Sequence, residues 1–377
     1  MENNVPSGTP PPIPPMPPSQ PPIFVTAPVR RTGRGWMILS IVLLLVLSFI
    51  AAGRIVVFAT HAGKNITGPQ SGRHFEEITL ENPDESDKIV VVPVEGMITG
   101  EWDPTGRSMV DTIADQLRLA GKDNDVKAVI LKVDSPGGEV MASDDISRAI
   151  SDFQEKYKKP VVAAMGGLAA SGGYYVSVPC QWIVANELTI TGSIGVILSS
   201  YNYRGLMDKV GLKPVVFKSG KFKDMLRGSK APDEIDPAEQ KMIQDMIMET
   251  YNKFKSVVKA GRDRAEGKNK GKGRTLVNDW ESYADGRILT GKNAYELGFV
   301  DQLGNFQTAV DATRLLGGIS GKAHIIRYEE PFSLARLFGF GVNTKASDSK
   351  VLKIDLGLDL PKVEAGRPYF LSSTVAH

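Results

Sequence analysis

Residues 126–164, VKAVILKVDSPGGEVMASDDISRAISDFQEKYKKPVVAA, contain the pattern that decides the fold. Val126–Val133 is a mostly apolar run, typical of a strand buried on both faces. Amphipathic helical spacing follows from Glu139 to Tyr157, and a second apolar run occupies Pro160–Ala164. A strand, a helix and a further strand in this order predict a parallel sheet with right-handed crossovers, and hence an α/β fold.

The same alternation continues on both sides of this segment. Further strands are predicted at Ile89–Val94, Trp182–Ala185 and Pro214–Lys218, and helices at residues 106–120, 237–259 and 306–315. We assign all of these elements to one globular domain, residues 88–328. Sheets of this type carry their active loops at the carboxyl ends of the strands, so the turn Asp134–Gly138 is expected near a functional site.

The bulk composition narrows the class of protein. The chain has 377 residues, with 45 basic and 43 acidic side chains and a formal net charge of +2. This balance argues against a nucleic-acid partner. The single cysteine, Cys180, cannot form an internal disulfide, and we expect it to be a buried small hydrophobe.

The amino terminus is a separate object. Residues 1–34 are rich in proline and predict a disordered cytoplasmic tail, either a solvated tether or a docking motif for a proline-binding module. Trp36–Ala52 carries no charge, and continuation to Phe58 gives a stretch long enough to span a bilayer. We assign residues 35–58 to a transmembrane anchor, with a cleaved signal peptide as the alternative.

The basic residues near this span predict its orientation. Arg30, Arg31 and Arg34 precede it, whereas Arg54 is the one arginine on the other flank. The positive-inside rule therefore places the amino terminus in the cytoplasm and the remainder of a single-pass cell-membrane protein outside. Residues 59–87 are polar and are expected to form a connector.

Two later stretches depart from the pattern of a core. Residues 262–274, RDRAEGKNKGKGR, hold six basic side chains and predict a disordered insertion, or a segment that contacts anionic headgroups. Residues 329–377 are assigned to a partly flexible carboxyl-terminal extension.

A pair of serines and a lysine suggest nucleophilic catalysis. Ser171 lies in VVAAMGGLAASGGYYVSV (161–178), Ser193 in TGSIGVI (191–197) and Lys223 in FKSGKFKDML (217–226). A serine needs a neighbouring base, usually histidine, but no histidine occurs between residues 75 and 323. A lysine becomes such a base if burial lowers its pKa, and a carboxylate partner would oppose this. Asp224 is therefore expected to point away from the amine.

The residues alone leave other interpretations open. The glycines around Ser171 are also typical of a tightly packed helix start. Lys223 is also compatible with a surface lysine, and alternation places Lys221 on the same face of the segment.

These strings, their spacing and the SPGG turn at 135–138 resemble the signal peptide peptidase A family, membrane-bound serine peptidases with a Ser–Lys dyad. The similarity runs from about Lys88 to Leu315. It implies that Ser171 is the nucleophile, that Lys223 is the general base and that Ser193 orients the lysine by a hydrogen bond. It also implies that the amide of Gly138 contributes to an oxyanion hole, to which we add the amide of Gly172.

The family resemblance also implies a fold and a role. The string GRILTGKNAYELGFVDQLG at 286–304 is shared with Clp-type peptidases and enoyl-CoA hydratases, which implies a Clp/crotonase-like spiral of β-β-α units. The expected function is a membrane-anchored serine endopeptidase, without cofactor or metal, that hydrolyses remnant signal peptides and other extended apolar peptides. The expected partners are those peptides, membrane lipid and further copies of the chain in a ring- or dome-shaped homo-oligomer.

The sequence leaves two alternatives to this role. A catalytically silent membrane scaffold of the same fold is the main one, and acyl-CoA chemistry is disfavoured because the anchor places the site outside the cytoplasm. Because Ser171 and Lys223 lie in one continuous segment, each chain is expected to hold its own dyad.

Overall fold

The computed structural model describes residues 43–44, 75–102, 107–330 and 368–371. The chain divides into two units, residues 1–72 and 73–377. In the first unit the description covers only Leu43 and Leu44, which are helical, so the predicted tail and nearly all of the predicted anchor lie outside the described residues. Within the described part of the chain, no helix is both long and apolar enough to cross a membrane.

The second unit mixes strands and helices. Its strands are β1 (Glu76–Glu81), β2 (Lys88–Glu95), β3 (Val126–Ser135), β4 (Gly137–Glu139), β5 (Val161–Ala170), β6 (Trp182–Ala185), β7 (Ile190–Gly192), β8 (Ile288–Thr290), β9 (Gln302–Leu303), β10 (His324–Glu329) and β11 (Tyr369–Leu371). Its α-helices are α1 (Met109–Lys122), α2 (Val140–Tyr157), α3 (Gly172–Ser177), α4 (Arg204–Lys209), α5 (Pro237–Asn269), α6 (Gly291–Glu296) and α7 (Phe306–Gly317).

The main sheet is largely parallel, as the alternation of strands and helices predicts. Its strands follow the order β1-β10-β2-β3-β5-β6-β9, and β1 pairs antiparallel with β10 at one edge. The strands from β10 to β9 pair parallel to one another. The predicted α/β class is therefore confirmed.

Successive side chains of a strand point to opposite faces of the sheet, so each face has its own hydrophobic core. Val90 and Val92 of β2 pack into a cluster that includes side chains of α1 and α2. Ile89 and Val91 face the opposite way, into a smaller cluster with Val310 of α7. Continuous β-branched runs with both faces covered are typical of parallel strands, because helices lie on both sides.

Strand β5 positions the candidate site. Its first half pairs with β3 and β6, whereas Leu168–Ala170 pair with Ile190–Gly192 of β7. The strand ends at Ala170, and α3 begins two residues later. Ser171 therefore lies at the carboxyl end of a central strand, where functional loops of parallel sheets gather.

One predicted strand is absent from the structure, and two predicted ranges outside the globular domain contain strands. Pro214–Lys218 is not a strand, because it pairs with no described strand and none of its residues is buried. Strand β1 lies inside the predicted connector 59–87, and its antiparallel pairing with β10 makes it an edge strand of the main sheet. The extension 329–377 contributes β11, which pairs with β4.

The prediction of a disordered insertion at 262–274 is wrong for its first eight residues. Helix α5 runs through them to Asn269, and Arg262 is 2% exposed against Asp301, which is 1% exposed. The guanidinium of Arg262 donates to both carboxylate oxygens of Asp301, at 2.9 and 2.5 Å. One residue of this basic run, Arg262, therefore forms a buried ion pair with an aspartate that lies far along the sequence.

Candidate active site

The backbone of Ser171 has a strained conformation. Its φ of 53° and ψ of −115° lie outside the regions that residues with a Cβ ordinarily adopt. Its N–H donates to the carbonyl of Gly192 at 2.9 Å. Its own carbonyl accepts from the N–H of Tyr175 at 2.8 Å, and this is the first hydrogen bond of α3. Such strain persists only where surrounding contacts impose it, and it concentrates at functional sites.

The hydroxyl of Ser171 is buried and without a hydrogen-bond partner among the described residues. A buried hydroxyl that lacks a partner loses its hydration without compensation, which costs about 1–3 kcal/mol. This arrangement is unfavourable for a structural serine. It is the arrangement expected where a base and a substrate would complete the site.

Ser193 lies beside Ser171. Ala170 of β5 and Gly192 of β7 are partners in parallel register, and the two serines are the next residues along their strands. Ser193 also has a positive φ, 49°, and is buried. Its N–H donates to the carbonyl of Arg287 at 2.8 Å.

The two glycines expected to form the oxyanion hole lie together. A methyl group built on Gly172 would lie 3.1 Å from the nitrogen of Gly138 and 2.7 Å from Oγ of Ser143. A methyl group built on Gly138 would lie 1.9 Å from the carbonyl oxygen of Ile98. Only glycine fits at position 138, because the backbone of Ile98 stands where a Cβ would be, and at Gly172 the backbone of Gly137 and Gly138 leaves little room for one.

Lys223 is not brought to Ser171 within one chain. It is exposed, and Ser171 Oγ has no hydrogen-bond partner, so the two side chains are not within hydrogen-bonding distance. The expectation that one chain assembles the whole dyad is therefore not met in this structure. The physical reason is that residues 195–228 have no buried position that would hold the lysine against the core.

The lysines around Lys223 differ in their partners. Lys218 pairs with Asp224 at 2.9 Å, Lys221 pairs with Asp236, and Lys230 pairs with Asp224 and Glu239. Of the lysines between residues 218 and 230, Lys223 alone has no carboxylate partner among the described residues. Asp224 instead pairs with Lys218 and Lys230.

The ion pairs change the charge states of these groups. Burial lowers the pKa of Lys230, but hydrogen bonds to Glu239 and Asp224 outweigh it and raise the pKa. The hydrogen bond from Lys218, with another from Lys230, lowers the pKa of Asp224 to about 2. Lys230 is therefore a fixed cation, and cannot serve as a base near neutral pH.

The stretch that precedes Lys223 exposes many large hydrophobic side chains. Its exposed side chains include Phe217, at 94%, and the following large hydrophobic residues: Tyr201, Leu206, Val210, Leu212, Val215 and Val216. We call residues 201–217 the apolar segment. Exposed hydrophobic side chains gathered in one stretch in this way are typical of a surface that contacts a partner.

Sequence reasoning missed the residues of β11. Tyr369 and Phe370 are buried beside the site, and β11 pairs antiparallel with β4, which contains Gly138. The triplet Tyr369–Leu371 follows a long stretch without motifs, so no periodic pattern marks it. The aromatic pair near the carboxyl end is the one sequence feature that could have indicated this strand.

Comparison with known proteins gives consistent matches. The model of peptidase family S49 matches residues 153–320. A protein of Enterococcus faecium that bears the name signal peptide peptidase SppA is 38% identical over 242 residues, covering 63% of this chain and 66% of its own. A Synechocystis protein named as a protease is 41% identical over 210 residues, covering 55% and 70%. Protease 4 of Haemophilus influenzae is 35% identical over 261 residues, covering 67% and 40%.

Proposed function

This chain belongs to peptidase family S49, a family of serine endopeptidases, and we propose that it cleaves peptides with a dyad of Ser171 and Lys223. The observation that carries this proposal is the strained backbone of Ser171 with its buried, unpartnered hydroxyl. Buried polar groups are nearly always hydrogen-bonded, and the exceptions call for a functional reason.

The chemistry follows from these groups. Oγ of Ser171 attacks the peptide carbonyl, and the neutral amine of Lys223 takes the hydroxyl proton. The N–H groups of Gly138 and Gly172 hold the charge that forms on the carbonyl oxygen. The lysine then donates its proton to the leaving amine. Water attacks the resulting acyl-enzyme in the same way and frees Ser171, while the hydroxyl of Ser193 orients the lysine.

The separation of the two residues leads to a proposal about assembly. Lys223 of one chain meets Ser171 of a neighbour, in a ring- or dome-shaped homo-oligomer whose contacts cover the apolar segment. Ordering residues 195–228 without burying any of them would cost conformational entropy without a compensating hydrophobic gain. A neighbour would supply that gain, and it would also desolvate the lysine amine, which a lysine base requires.

The substrates proposed are extended, mostly apolar peptides, including remnant signal peptides. The name of the Enterococcus relative supports this choice. The predicted span at 35–58, with arginines on its amino-terminal side, supports a catalytic unit held at the outer face of the cell membrane. An alkaline phosphatase reporter fused after residue 330 should then be active, and activity of a cytoplasm-only reporter at that position would contradict the topology.

The proposed architecture is a Clp/crotonase-like spiral. The succession of β3, β4 and α2 along the chain supports it as one β-β-α unit. The change of partner of β5 from β6 to β7 supports a sheet that turns as it continues.

Covalent labelling tests the proposed activity. A fluorophosphonate probe should label the purified full-length chain in detergent, and digestion should place the label on Ser171. Ser171→Ala should abolish both labelling and peptide cleavage while the circular dichroism spectrum stays unchanged. Retention of more than a few per cent of activity by Ser171→Ala would overturn the proposal.

A further inference from the structure

The two glycines of the proposed oxyanion hole lie at the beginnings of two different helices. Helix α2 starts at Val140, two residues after Gly138, and α3 starts at Gly172, directly after Ser171. An oxyanion hole needs both N–H groups within hydrogen-bonding distance of one oxygen. The contacts that hold the start of α2 against the start of α3 therefore decide whether the two donors can act together.

A buried hydrogen bond joins these two helices. The hydroxyl of Tyr175 on α3 donates to Oδ1 of Asp144 on α2 at 2.6 Å. Tyr175 has no exposed surface, and Asp144 is 7% exposed. Burial, together with the hydrogen bond to Asp144, raises the pKa of the Tyr175 hydroxyl, so this group stays a neutral donor at physiological pH.

Tyr175 is also tied to the proposed nucleophile. Its N–H donates to the carbonyl of Ser171 at 2.8 Å, across the first turn of α3. Its ring packs edge-on against Phe254, with 4.9 Å between the centroids, which restricts where the hydroxyl can lie. A displacement of Tyr175 would therefore act directly on the backbone of Ser171.

Asp144 is tied in a similar way to the turn that contains Gly138. It follows Ser143, whose Oγ donates to the carbonyl of Glu139 at 2.8 Å. A methyl group built on Gly172 would lie 2.7 Å from that same Oγ. The beginnings of α2 and α3 are therefore in direct contact beside the proposed oxyanion hole.

We propose that Tyr175 and Asp144 are positioning residues of the reaction. Their hydrogen bond holds the starts of α2 and α3 at the separation at which the two glycine N–H groups bind one oxyanion. In this role both side chains act through the backbone that they hold, so their loss should slow the chemical step without weakening substrate binding. This inference rests on the proposed function, because it assigns roles within the same site.

The first experiment removes one hydroxyl at a time from adjacent tyrosines. Tyr175→Phe deletes the donor and keeps the ring. Tyr174→Phe is the matched control, because the Tyr174 hydroxyl is also buried but donates to the carbonyl of Phe299, at 3.0 Å. Both variants lose one buried hydrogen bond, but only Tyr175→Phe loses the contact between α2 and α3.

Cleavage of an internally quenched peptide by the full-length protein in detergent measures the effect. In Tyr175→Phe we expect kcat to fall by about tenfold or more, since a small misplacement of catalytic groups is costly. KM in Tyr175→Phe, and both constants in Tyr174→Phe, should stay within about twofold of the unaltered protein. Equal kcat values for the two variants would overturn the inference.

The acceptor is tested by two substitutions of one residue. Asp144→Asn keeps an oxygen that can accept from Tyr175, whereas Asp144→Ala removes it. Asp144→Ala should lower kcat about as much as Tyr175→Phe, the double variant should lower it no further, and Asp144→Asn should retain most of it. Equal losses in Asp144→Asn and Asp144→Ala, or additive losses in the double variant, would contradict a role for this hydrogen bond.

A peptide aldehyde distinguishes oxyanion binding from ordinary substrate binding. Oγ of Ser171 adds reversibly to the aldehyde carbon, and the former carbonyl oxygen then occupies the oxyanion hole. In Tyr175→Phe the inhibition constant of the aldehyde should rise by the same factor by which kcat/KM falls. That of the matching peptide alcohol, which cannot form the adduct, should stay unchanged, and an equal rise for both inhibitors would refute the inference.

Fluorophosphonate labelling of the same samples separates the two proposals. The final extent of labelling gives the fraction of competent sites, to which each kcat is normalised. A labelled Ser171 with cleavage that is insensitive to Tyr175→Phe refutes this inference and leaves the proposed function standing. An unlabelled Ser171 and no cleavage in the unaltered chain refute the proposed function, and this inference with it. The two Asp144 variants remain decisive if Tyr175→Phe fails to fold.

Discussion

The buried pair of Arg262 and Asp301 should be a major determinant of stability. Asp301 accepts hydrogen bonds from the backbone nitrogens of Ile183, at 2.9 Å, and Arg274, at 3.1 Å, in addition to the two from Arg262. Arg262 also donates to the carbonyls of Gly298 and Arg274. The pair therefore joins α5 to β6 and to the loop before β9.

Removal of one partner leaves the other charge buried. Arg262→Met keeps most of the side-chain volume and should lower the free energy of unfolding by about 3–5 kcal/mol. Asp301→Ala should cost at least as much, because it also leaves two backbone donors without acceptors. The double variant should cost less than the sum of the single variants, since it leaves no unpaired charge.

Urea unfolding of the full-length protein in detergent, followed by tryptophan fluorescence, measures these values. The exposed i,i+4 pair Lys259 and Asp263 lies on the same helix and provides the control. Lys259→Met should change stability by about 0.5 kcal/mol or less. The reasoning is refuted if Arg262→Met destabilises the protein no more than Lys259→Met.

The remaining predictions concern the segment near the proposed base. Lys223→Met should abolish peptide cleavage. Lys221→Met should reduce cleavage far less, because Lys221 is already paired with Asp236. The opposite result, loss of cleavage in Lys221→Met alone, would show that the base is misassigned. The pKa of Asp224 is lowered in the folded state to about 2. Its ion pairs therefore stabilise the protein fully above the usual pKa of aspartate, and this stabilisation is lost as the pH falls from about 4 to about 2. Asp224→Asn should remove that part of the acid dependence measured by unfolding, and an unchanged acid profile would contradict the contribution of these pairs.

The sequence predicts most of the sheet because the relevant information is local. Apolar runs such as Val126–Val133 and amphipathic spacing such as Glu139–Tyr157 depend only on neighbouring residues. The predicted strand Trp182–Ala185 has the bounds that the structure gives it. The resemblance to the signal peptide peptidase A family, rather than any local pattern, predicts that Ser171, Ser193, Gly138 and Gly172 lie close together.

The failures concern contacts between distant residues. The polar, basic composition of 262–274 could not reveal that Arg262 reaches an aspartate 39 residues later. The short apolar run Pro214–Lys218 predicts a strand that does not form, because periodicity cannot tell whether a sheet edge is available. Strand β11 has too few residues for any periodic signal, and its position depends on pairing with β4.

Complementation between inactive chains tests the central claim most directly. Ser171→Ala and Lys223→Met chains are coexpressed with different affinity tags, and mixed oligomers are purified through both tags in turn. If each dyad takes its serine and its lysine from neighbouring chains, random assembly restores about one site in four, and peptide cleavage should return to about that fraction of the unaltered protein. Mixed oligomers without activity would contradict a dyad shared between chains.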